Sequence, residues 1–285
     1  MKELVVLSGK GGTGKTSIVA SFAALARDKI LADCDVDAAD LYLLLRPDEE
    51  EKHEFWSGQV ASIDRERCTQ CGLCRQVCRF GAINEYSVDT IACEGCGFCY
   101  QVCPVKAITM EASLAGYWFM AKTRYGYLSH ARLRAAQENS GKLVALVREN
   151  ARSLAQKEGL GLIISDGPPG TGCPVISSLS GVDLALLVTE PTLSGIHDLT
   201  RIVGVCRRFG VPALVCINKC DINEENTREI EHYCIEEEIR VAAKIPFDNV
   251  VTEALVARMP VVEYRDGQVA HEINNLWRFV LGALK

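Results

Sequence analysis

The chain has 285 residues, of which 48% are hydrophobic, so it is long enough for one or two domains with a large core. Its formal net charge of −6 argues against nucleic acid or an anionic membrane as the main partner. No apolar run approaches the ~20 residues needed to cross a bilayer, and no secretory signal is recognised before the first strand-like run. We therefore expect a cytoplasmic protein that binds neither nucleic acid nor membrane.

The first predicted element is a buried strand over residues 4–7, followed by a glycine-rich loop and a helix over residues 18–26. This order of strand, loop and helix is the context of a P-loop. Glycines let successive backbone N–H groups point at one phosphate chain, and the helix N-terminus adds a partial positive charge. Lys15 would reach the β- and γ-phosphates and Thr16 would hold Mg²⁺, whereas the alternative is an ordinary glycine-rich turn. The predicted cofactor-binding residues of this loop are Gly9, Lys10, Gly11, Gly12, Thr13, Gly14, Lys15, Thr16 and Ser17.

Lys10 is a second lysine in this loop, and an ordinary P-loop does not need it. With it, the stretch from Ser8 to Ser17 resembles the deviant-Walker-A ATPases of the MinD/ParA superfamily, a group that includes the nitrogenase iron protein and the iron–sulfur-carrier P-loop proteins. The resemblance implies that ATP is sandwiched between two subunits and that Lys10 reaches the partner's nucleotide. A solvated lysine beside the loop is the alternative.

Three aspartates follow the short second strand, which is predicted over residues 30–32. They stand at the carboxyl edge of a parallel sheet, where the ligands of such sheets bind. The family resemblance implies that Asp35 positions the water that attacks the γ-phosphate and that Asp33 lies near Mg²⁺. The alternative is that these aspartates, Asp37 included, are turn or cap residues.

Fourteen cysteines are many for a chain without an export signal, and eight of them lie within residues 68–103. Metal ligation explains them better than disulfides do. They form two runs with the Cys-x2-Cys-x2-Cys-x3-Cys spacing of bacterial ferredoxins, in which the fourth cysteine of each run ligates the other cluster. The first predicted 4Fe–4S cluster is bound by Cys68, Cys71, Cys74 and Cys103, and the second by Cys93, Cys96, Cys99 and Cys78. Zinc is the alternative metal, although interleaved thiolates suit it poorly.

A further buried strand over residues 161–166 ends in Asp166, which fits the Walker B role of holding Mg²⁺ through its water shell. A helix cap is the alternative role for this aspartate. The Gly-Pro-Pro-Gly-Thr-Gly stretch that follows resembles the second switch of the family, and its glycines allow the backbone to change when the γ-phosphate leaves. Cys173 ends the switch, and we expect a free, partly buried thiol rather than a ligand of a cluster shared by two subunits.

A strand over residues 213–217 is followed by Asn218 and Lys219, an arrangement typical of a motif that recognises the nucleotide base. An asparagine side chain offers a donor and an acceptor to a purine edge. The resemblance to the MinD-like group implies that Asn218 serves adenine and that a later segment with Pro246 and Asp248 assists it. We therefore expect ATP, with GTP as the alternative.

The predicted fold is an α/β P-loop domain with a doubly wound, mostly parallel sheet, formed by residues 1–56 and 113–285. Residues 57–112 are predicted to form an inserted, small α+β domain of the bacterial ferredoxin type. A small hairpin is predicted over residues 55–63, with its turn at Ser57 and Gly58. Nearly the whole chain resembles the MinD-superfamily ATPases that contain an inserted ferredoxin domain.

The predicted function is that of an iron–sulfur ATPase, which hydrolyses ATP to ADP and phosphate with Lys10, Lys15 and Asp35 as its catalytic residues. Switching of an ATP-dependent homodimer, or of a dimer with a paralogue, would control electron transfer through two 4Fe–4S clusters to an unidentified redox partner protein. The alternative is a maturation factor that inserts a metallocluster or cofactor into a partner enzyme. A positioning protein of the MinD type is the third possibility, but the acidic composition disfavours it.

Overall fold

The computed structural model describes residues 1–134 and 140–285; residues 135–139, which belong to the predicted segment 113–285, lie outside the described residues. The strands are β1 (Lys2–Ser8), β2 (Lys29–Asp33), β3 (Glu49–Ile63), β4 (Ile83–Asn84), β5 (Ser87–Val88), β6 (Ile108–Thr123), β7 (Gly126–Leu133), β8 (Leu162–Pro169), β9 (Leu184–Thr189), β10 (Ala213–Asn218) and β11 (Arg240–Ile245). The helices are α1 (Lys15–Leu25), α2 (Leu41–Leu45), α3 (Leu73–Val77), α4 (Phe98–Val102), α5 (Ser140–Glu158), α6 (Cys173–Leu179), α7 (Leu193–Arg208), α8 (Glu224–Glu236), α9 (Val250–Val256), α10 (Val261–Tyr264) and α11 (Gln268–Ala283).

The described chain forms two compact units. The first contains Met1–Lys52, Trp118–Arg132 and Ser140–Lys285. The second contains His53–Tyr117 and the described residues of the segment that starts at Leu133. The predicted insertion, residues 57–112, falls within the first segment of this second unit.

A nine-stranded sheet organises the fold, in the order β11-β10-β9-β1-β8-β2-β7-β6-β3. β1 is the fourth strand in this order and runs parallel to both neighbours, so that Leu4 pairs with Ile164 on one side and with Leu184 on the other. The pairings of β2 with β7 and β8, and of β10 with β9 and β11, are parallel as well. This arrangement confirms the predicted α/β fold with a mostly parallel central sheet, whose carboxyl edge gathers the ends of β1, β2, β8, β9 and β10.

Both faces of the parallel part of the sheet around β1 are buried, as a parallel sheet covered by helices requires. Leu4 and Val6 pack into one apolar core together with α1, α9, α10 and α11, whereas Val5 and Leu7 pack into a second core with α6, α7 and α8. The alternation follows from the two-residue period of a strand. The result is a central sheet between two helical layers.

The hairpin predicted over residues 55–63 is wrong, because β3 runs without reversal from Glu49 to Ile63. Gly58 adopts a φ of +79°, but the chain continues in the same strand on both sides of it. A glycine inside a strand often marks a local irregularity of the ladder. The Ser57-Gly58 pair therefore produces a distortion within a strand where its composition indicated a turn.

The second unit holds α3, α4 and the short antiparallel pair β4–β5, in which Ile83 pairs with Val88. Its small core contains Ala61, Ile83 and Ile108, and several cysteines pack against them. Among the described residues, no helix combines the length and the apolar character needed to cross a membrane.

Candidate functional site

The loop after β1 has the backbone that a phosphate cradle needs. Gly12 and Gly14 have φ values of +80° and +89°, in the left-handed region that glycine tolerates best. A Cβ atom on Gly14 would lie 2.3 Å from Nδ2 of Asn218, so this position also lacks room for a side chain. The loop lines a cleft of about 700 Å³ at the carboxyl edge of the sheet, together with Asp35 and residues of the second switch. α1 begins at Lys15, so its first backbone N–H groups face this cleft.

Lys15 is buried in this cleft among carboxylates. Its Nζ atom lies 2.6 Å from Oδ1 of Asp166 and 3.8 Å from Oδ2 of Asp35. Burial alone would lower the pKa of Lys15, but the carboxylates, Asp166 foremost, outweigh burial and raise it. Lys15 therefore stays charged next to the position where the P-loop motif places phosphates.

Two buried oxygens have no hydrogen-bond partner among the described residues: Oγ1 of Thr13, which lines the cleft, and Oδ2 of Asp166, whose other oxygen pairs with Lys15. A buried carboxylate oxygen is expensive to leave unpaired. An Mg²⁺ ion with its water shell would satisfy Asp166, and Thr16, which also lines the cleft, offers a hydroxyl to the same ion. The residues present therefore fit a magnesium nucleotide.

Asp33 and Asp35 occupy different environments, although only one residue separates them. Both oxygens of Asp33 accept backbone N–H groups, one from Asp35 and one from Leu41, each at 3.2 Å, so that Asp33 fixes the loop that carries Asp35. Burial, with Asp166 nearby, raises the pKa of Asp33 well above its ordinary value. Asp35 lines the cleft itself, and burial raises its pKa to about 6. The structure thus places Asp35 at the nucleotide cleft and Asp33 behind it.

Lys10 is held by groups of the same chain. Its Nζ atom lies 2.6 Å from Oε1 of Glu190, 3.1 Å from Oγ1 of Thr192 and 3.0 Å from Oγ of Ser194. The sequence-based reasoning missed these three partners. The signal was available for Glu190, because it directly follows β9 at the same sheet edge where Asp33 ends β2 and Asp166 lies in the second half of β8.

The predicted base-recognition residues, Asn218 and Lys219, donate hydrogen bonds to backbone carbonyls of the P-loop. Nδ2 of Asn218 donates to the carbonyl of Thr13 at 2.7 Å, and Nζ of Lys219 donates to the carbonyl of Gly12 at 3.1 Å. Asn218 pairs with Ile245, the residue before Pro246, so the two predicted segments are adjacent. Asp248 is exposed and accepts the N–H of Val250 at 2.8 Å, at the start of α9. Pro246 and Asp248, which the sequence predicted to assist base recognition, do not line the cleft that the described residues form.

The second switch begins within the last residues of β8, which ends at Pro169, and continues to Gly172. Oγ1 of Thr171 accepts a hydrogen bond from Arg201 of α7 at 3.0 Å, and Gly170 has a φ of +90°. Cys173 is exposed, so the expectation of a partly buried thiol is wrong. Cys173 is exposed because it is the first residue of the short α6, directly after the second switch. The residues of α6 that pack into the core are Val175 and Leu179.

In the second unit, the eight clustered cysteines line two separate cavities. The first cavity is lined by Cys68, Cys71, Cys74 and Cys103. The second is lined by Cys78, Cys93, Cys96 and Cys99. These are the same two groups of four that the spacing predicts, with the last cysteine of each run contributed to the other group.

The two cysteine runs also repeat their backbone conformation, at equivalent positions 25 residues apart (68 and 93, for example). Positive φ values recur at the pairs Gln70 and Gly95, Gly72 and Gly97, and Gly81 and Lys106. Backbone N–H groups donate to two of the thiols, from Gln70 to Cys68 at 3.4 Å and from Ala107 to Cys103 at 3.3 Å. Such donors stabilise thiolates.

Within the described ranges, no three His, Cys, Asp or Glu side chains meet closely enough to bind one metal ion. The donor set fits a larger group, because four thiols line each cavity and, in the first cavity, N–H groups donate to the sulfurs of Cys68 and Cys103. Burial raises the pKa of Cys74, which is buried, and of Cys99, which is half-buried.

Comparison with known proteins agrees with the geometry of the first unit. Residues 4–261 match the family profile of the CobQ/CobB/MinD/ParA nucleotide binding domain. An uncharacterized protein of Methanocaldococcus jannaschii is 32% identical over 278 residues, which cover 96% of this chain and 95% of that protein. An iron–sulfur cluster carrier protein of Pyrococcus horikoshii is 28% identical over 140 residues, 44% of this chain and 47% of the carrier.

A solved structure shares the fold across nearly the whole chain. The septum site-determining protein MinD of Pyrococcus horikoshii superimposes with a TM-score of 0.59 at 19% identity, covering 98% of this chain and 95% of MinD. The family match spans the P-loop, Asp33, Asp35, the second switch and the base motif, and the fold places all of them at one sheet edge. The chain therefore belongs to the CobQ/CobB/MinD/ParA family of nucleotide-binding proteins.

Proposed function

We propose that this protein hydrolyses ATP at the P-loop and couples the resulting subunit switching to electron transfer through two 4Fe–4S clusters. The observation that carries the proposal is the presence of two sites on one chain. A phosphate cleft organised around Lys15 lies in the first unit, and two cavities, each lined by four cysteines, lie in the second.

In the nucleotide cleft, each residue has a distinct task. The N–H groups of the glycine loop and the charge of Lys15 stabilise the negative charge that develops on the transferred phosphoryl group. Asp35 accepts a hydrogen bond from the attacking water and orients it. Asp166 and Thr16 would hold Mg²⁺, which would neutralise part of the negative charge of the phosphates. MinD of Pyrococcus horikoshii was solved as a complex with Mg-ADP, which supports this assignment of the cleft.

ATP is the preferred nucleotide because Nδ2 of Asn218 donates to the P-loop, while the amide oxygen of Asn218 has no hydrogen-bond donor among the residues that the structure describes. An acceptor at that position pairs with the amino group of adenine. Lys10 extends the site across a dimer interface, as the resemblance to the deviant-Walker-A group implies, and reaches the nucleotide of the partner subunit.

In the second unit, the eight cysteines hold two 4Fe–4S clusters, bound crosswise by the two runs. The clusters, when bound, would each carry one electron, and their reduction potentials would depend on nearby charges and on N–H donors to the sulfurs. The chain's own contribution is to orient the thiols from the helical turns α3 and α4, and to direct backbone N–H groups at Cys68 and Cys103. Zinc is disfavoured because the fourth thiol of each group comes from the other run.

A second candidate function is the handling of a metallocluster for another enzyme. The similarity to iron–sulfur cluster carrier proteins favours it over part of the chain. Cys71 and Cys96 are exposed, so that a cluster bound there would be accessible to an acceptor protein. Under this alternative the clusters are cargo, and they leave the chain when it meets an apo-acceptor.

The experiment that tests the proposal is anaerobic purification, iron and sulfide analysis, and electron paramagnetic resonance after reduction, together with an ATPase assay of the same sample. We expect about eight iron atoms per chain, as two 4Fe–4S clusters require, and ATP turnover. Iron retained in the presence of an apo-ferredoxin acceptor supports electron transfer, whereas transfer of iron to the acceptor supports the handling function. A sample that turns over ATP without any 4Fe–4S signal contradicts both.

A further inference from the structure

Glu190 lies beside the P-loop, between the side chains of Lys10 and Lys219. Its Oε1 atom is 2.6 Å from Nζ of Lys10, and its Oε2 atom is 2.8 Å from Nζ of Lys219. The Glu190 side chain is only 12% exposed, and the Lys10 side chain 28%. At such a partly desolvated site the two ion pairs are stronger than ordinary surface pairs.

The ammonium group of Lys10 has all three of its donors satisfied within its own chain. One donor goes to Glu190, and the others go to the hydroxyls of Thr192 and Ser194. Thr192 Oγ1 also accepts the N–H of Gly195 at 3.0 Å, so both of its lone pairs are used and its own proton is directed to Ser194 Oγ at 3.2 Å. Lys10 is therefore fixed by a small closed network and does not extend freely into solvent.

The loop that carries Glu190 is tightly packed and internally hydrogen-bonded. The N–H of Thr192 donates to the carbonyl of Glu190 at 2.8 Å, and a Cβ atom on Gly195 would lie 2.2 Å from that same carbonyl oxygen. Burial would raise the pKa of Glu190, but the hydrogen bonds from Lys10 and Lys219 outweigh burial and lower it. The carboxylate is thus ionised at neutral pH and held in one place.

We infer that Glu190 is a positioning residue, which holds Lys10 against its own subunit until a polyphosphate competes for the lysines and frees Lys10 to reach the partner subunit. The inference rests on the proposed function, because it assumes that Lys10 acts across a dimer. Polyphosphate oxygens arriving at the loop repel the Glu190 carboxylate and offer the lysines a stronger anion. Lys219 also donates to the carbonyl of Gly12 in the P-loop itself, whereas the other acceptors of Lys10 are two neutral hydroxyls, so Lys10 is the lysine that is released.

The test is the ATP concentration that gives half-maximal dimerisation, measured by sedimentation velocity on the full chain. Glu190→Gln keeps the shape of the side chain and removes its charge, so Lys10 is held less tightly. We expect the variant to dimerise at an ATP concentration at least about fivefold lower than the wild type, the lower range of ordinary allosteric coupling. Glu190→Asp, which keeps the charge, should restore a value near that of the wild type.

Two further variants show whether Glu190 acts through Lys10. In a Lys10→Ala background, Glu190→Gln should change nothing more, because the group being positioned is gone. Glu231→Gln is the matched control, since Glu231 pairs with Lys244 at 2.8 Å on α8 and β11, away from the cleft. It should dimerise as the wild type does.

The outcomes separate the inference from the proposed function. A wild type that dimerises with ATP, together with a Glu190→Gln variant that behaves identically, overturns the role of Glu190 alone. An effect that persists in the Lys10→Ala background also overturns it. A wild type that binds ATP but never dimerises overturns the dimer mechanism and this inference with it. Should Glu190→Gln fail to fold, Ser194→Ala removes another acceptor of Lys10 and must lower the half-maximal ATP concentration in the same direction.

Discussion

Lys15 shows how a single buried charge defines the nucleotide cleft. Three aspartates from β2, β8 and the loop after β2 surround it, and their combined field keeps its pKa raised in spite of burial. A lysine without such partners would lose its proton more easily when buried. The same carboxylates that keep Lys15 charged are those proposed to act on Mg²⁺ and on the attacking water.

Replacing this lysine tests the proposed catalytic arrangement. Lys15→Ala removes the charge that stabilises the transferred phosphoryl group, and we expect ATP turnover to fall by at least about 100-fold, the loss typical of one electrostatic stabiliser. The measurement is steady-state phosphate release, with circular dichroism as the control for folding. Turnover within a few-fold of the wild type would show that this cleft is not the site of hydrolysis.

A pair of cysteine variants tests the assignment of the clusters. Cys96 lines the second cavity, whereas Cys173 is an equally exposed cysteine of the second switch. Cys96→Ser should lower the iron content of anaerobically reconstituted protein from about eight to about four atoms per chain, because only one 4Fe–4S cluster loses a ligand. Cys173→Ser should leave the iron content unchanged. Loss of iron in Cys173→Ser would instead make that thiol a ligand.

At the level of loops and helices, Gly14 of the P-loop and Gly204 of α7 differ in whether the backbone and the space around them would accept a side chain. Gly14 needs a left-handed backbone and also has no room for a side chain beside Asn218. Gly204 lies inside α7, where an added Cβ atom would meet no described atom within 4 Å. These two positions therefore predict opposite effects for the same substitution.

Gly14→Ala should lower the free energy of unfolding by at least about 1–2 kcal/mol from backbone strain alone, and should also weaken nucleotide binding. Gly204→Ala should raise the free energy of unfolding by about 0.5–1 kcal/mol, because alanine is the better helix former. Urea unfolding of the two variants measures both effects. A neutral Gly14→Ala would mean that the loop adopts another conformation.

The β6–β7 turn is fixed to α10 by Tyr125, which is buried and donates its hydroxyl proton to Oε2 of Glu263 at 2.6 Å. Burial and the Glu263 carboxylate raise the pKa of Tyr125. As the pH rises, the unfolded chain therefore loses this proton before the folded chain does. The stability contributed by the hydroxyl is complete below pH ~10 and is lost above it.

Tyr125→Phe removes this contribution. Near pH 8 we expect the variant to be less stable than the wild type by about 1 kcal/mol, the usual net value of such a hydrogen bond. The difference should shrink as the pH rises above ~10. Urea unfolding of both proteins as a function of pH measures it, and a difference that stays constant through pH 11 would exclude the coupling to Glu263.

At the scale of the whole molecule, the sequence predicted most of what depends on local pattern. The buried strands, the P-loop and the acidic ends of β2 and β8 follow from apolar runs bounded by glycine and aspartate, and the α/β fold is confirmed. The cysteine groups of the two cavities match the predicted sets, because their spacing is itself a geometric constraint. Their occupation by clusters stays a prediction.

What the sequence did not predict depends on contacts between distant segments. The partners of Lys10 lie some 180 residues further along the chain, and only the sheet order brings β9 next to β1. The double hydrogen bonding of Asp33 depends on the path of the loop to Leu41, which no local motif specifies. The Ser57-Gly58 pair was misinterpreted as a turn because glycine serves both reversals and strand irregularities.

The central claim is that ATP and the clusters communicate within this one chain. The most direct measurement is the midpoint potential of each 4Fe–4S cluster, by redox titration with electron paramagnetic resonance, with and without Mg-ATP. The account predicts a shift of at least about 60 mV in one cluster, equivalent to a tenfold change for a one-electron couple, and no shift in Lys15→Ala. Identical potentials with and without Mg-ATP, in protein that hydrolyses ATP and holds both clusters, would contradict it.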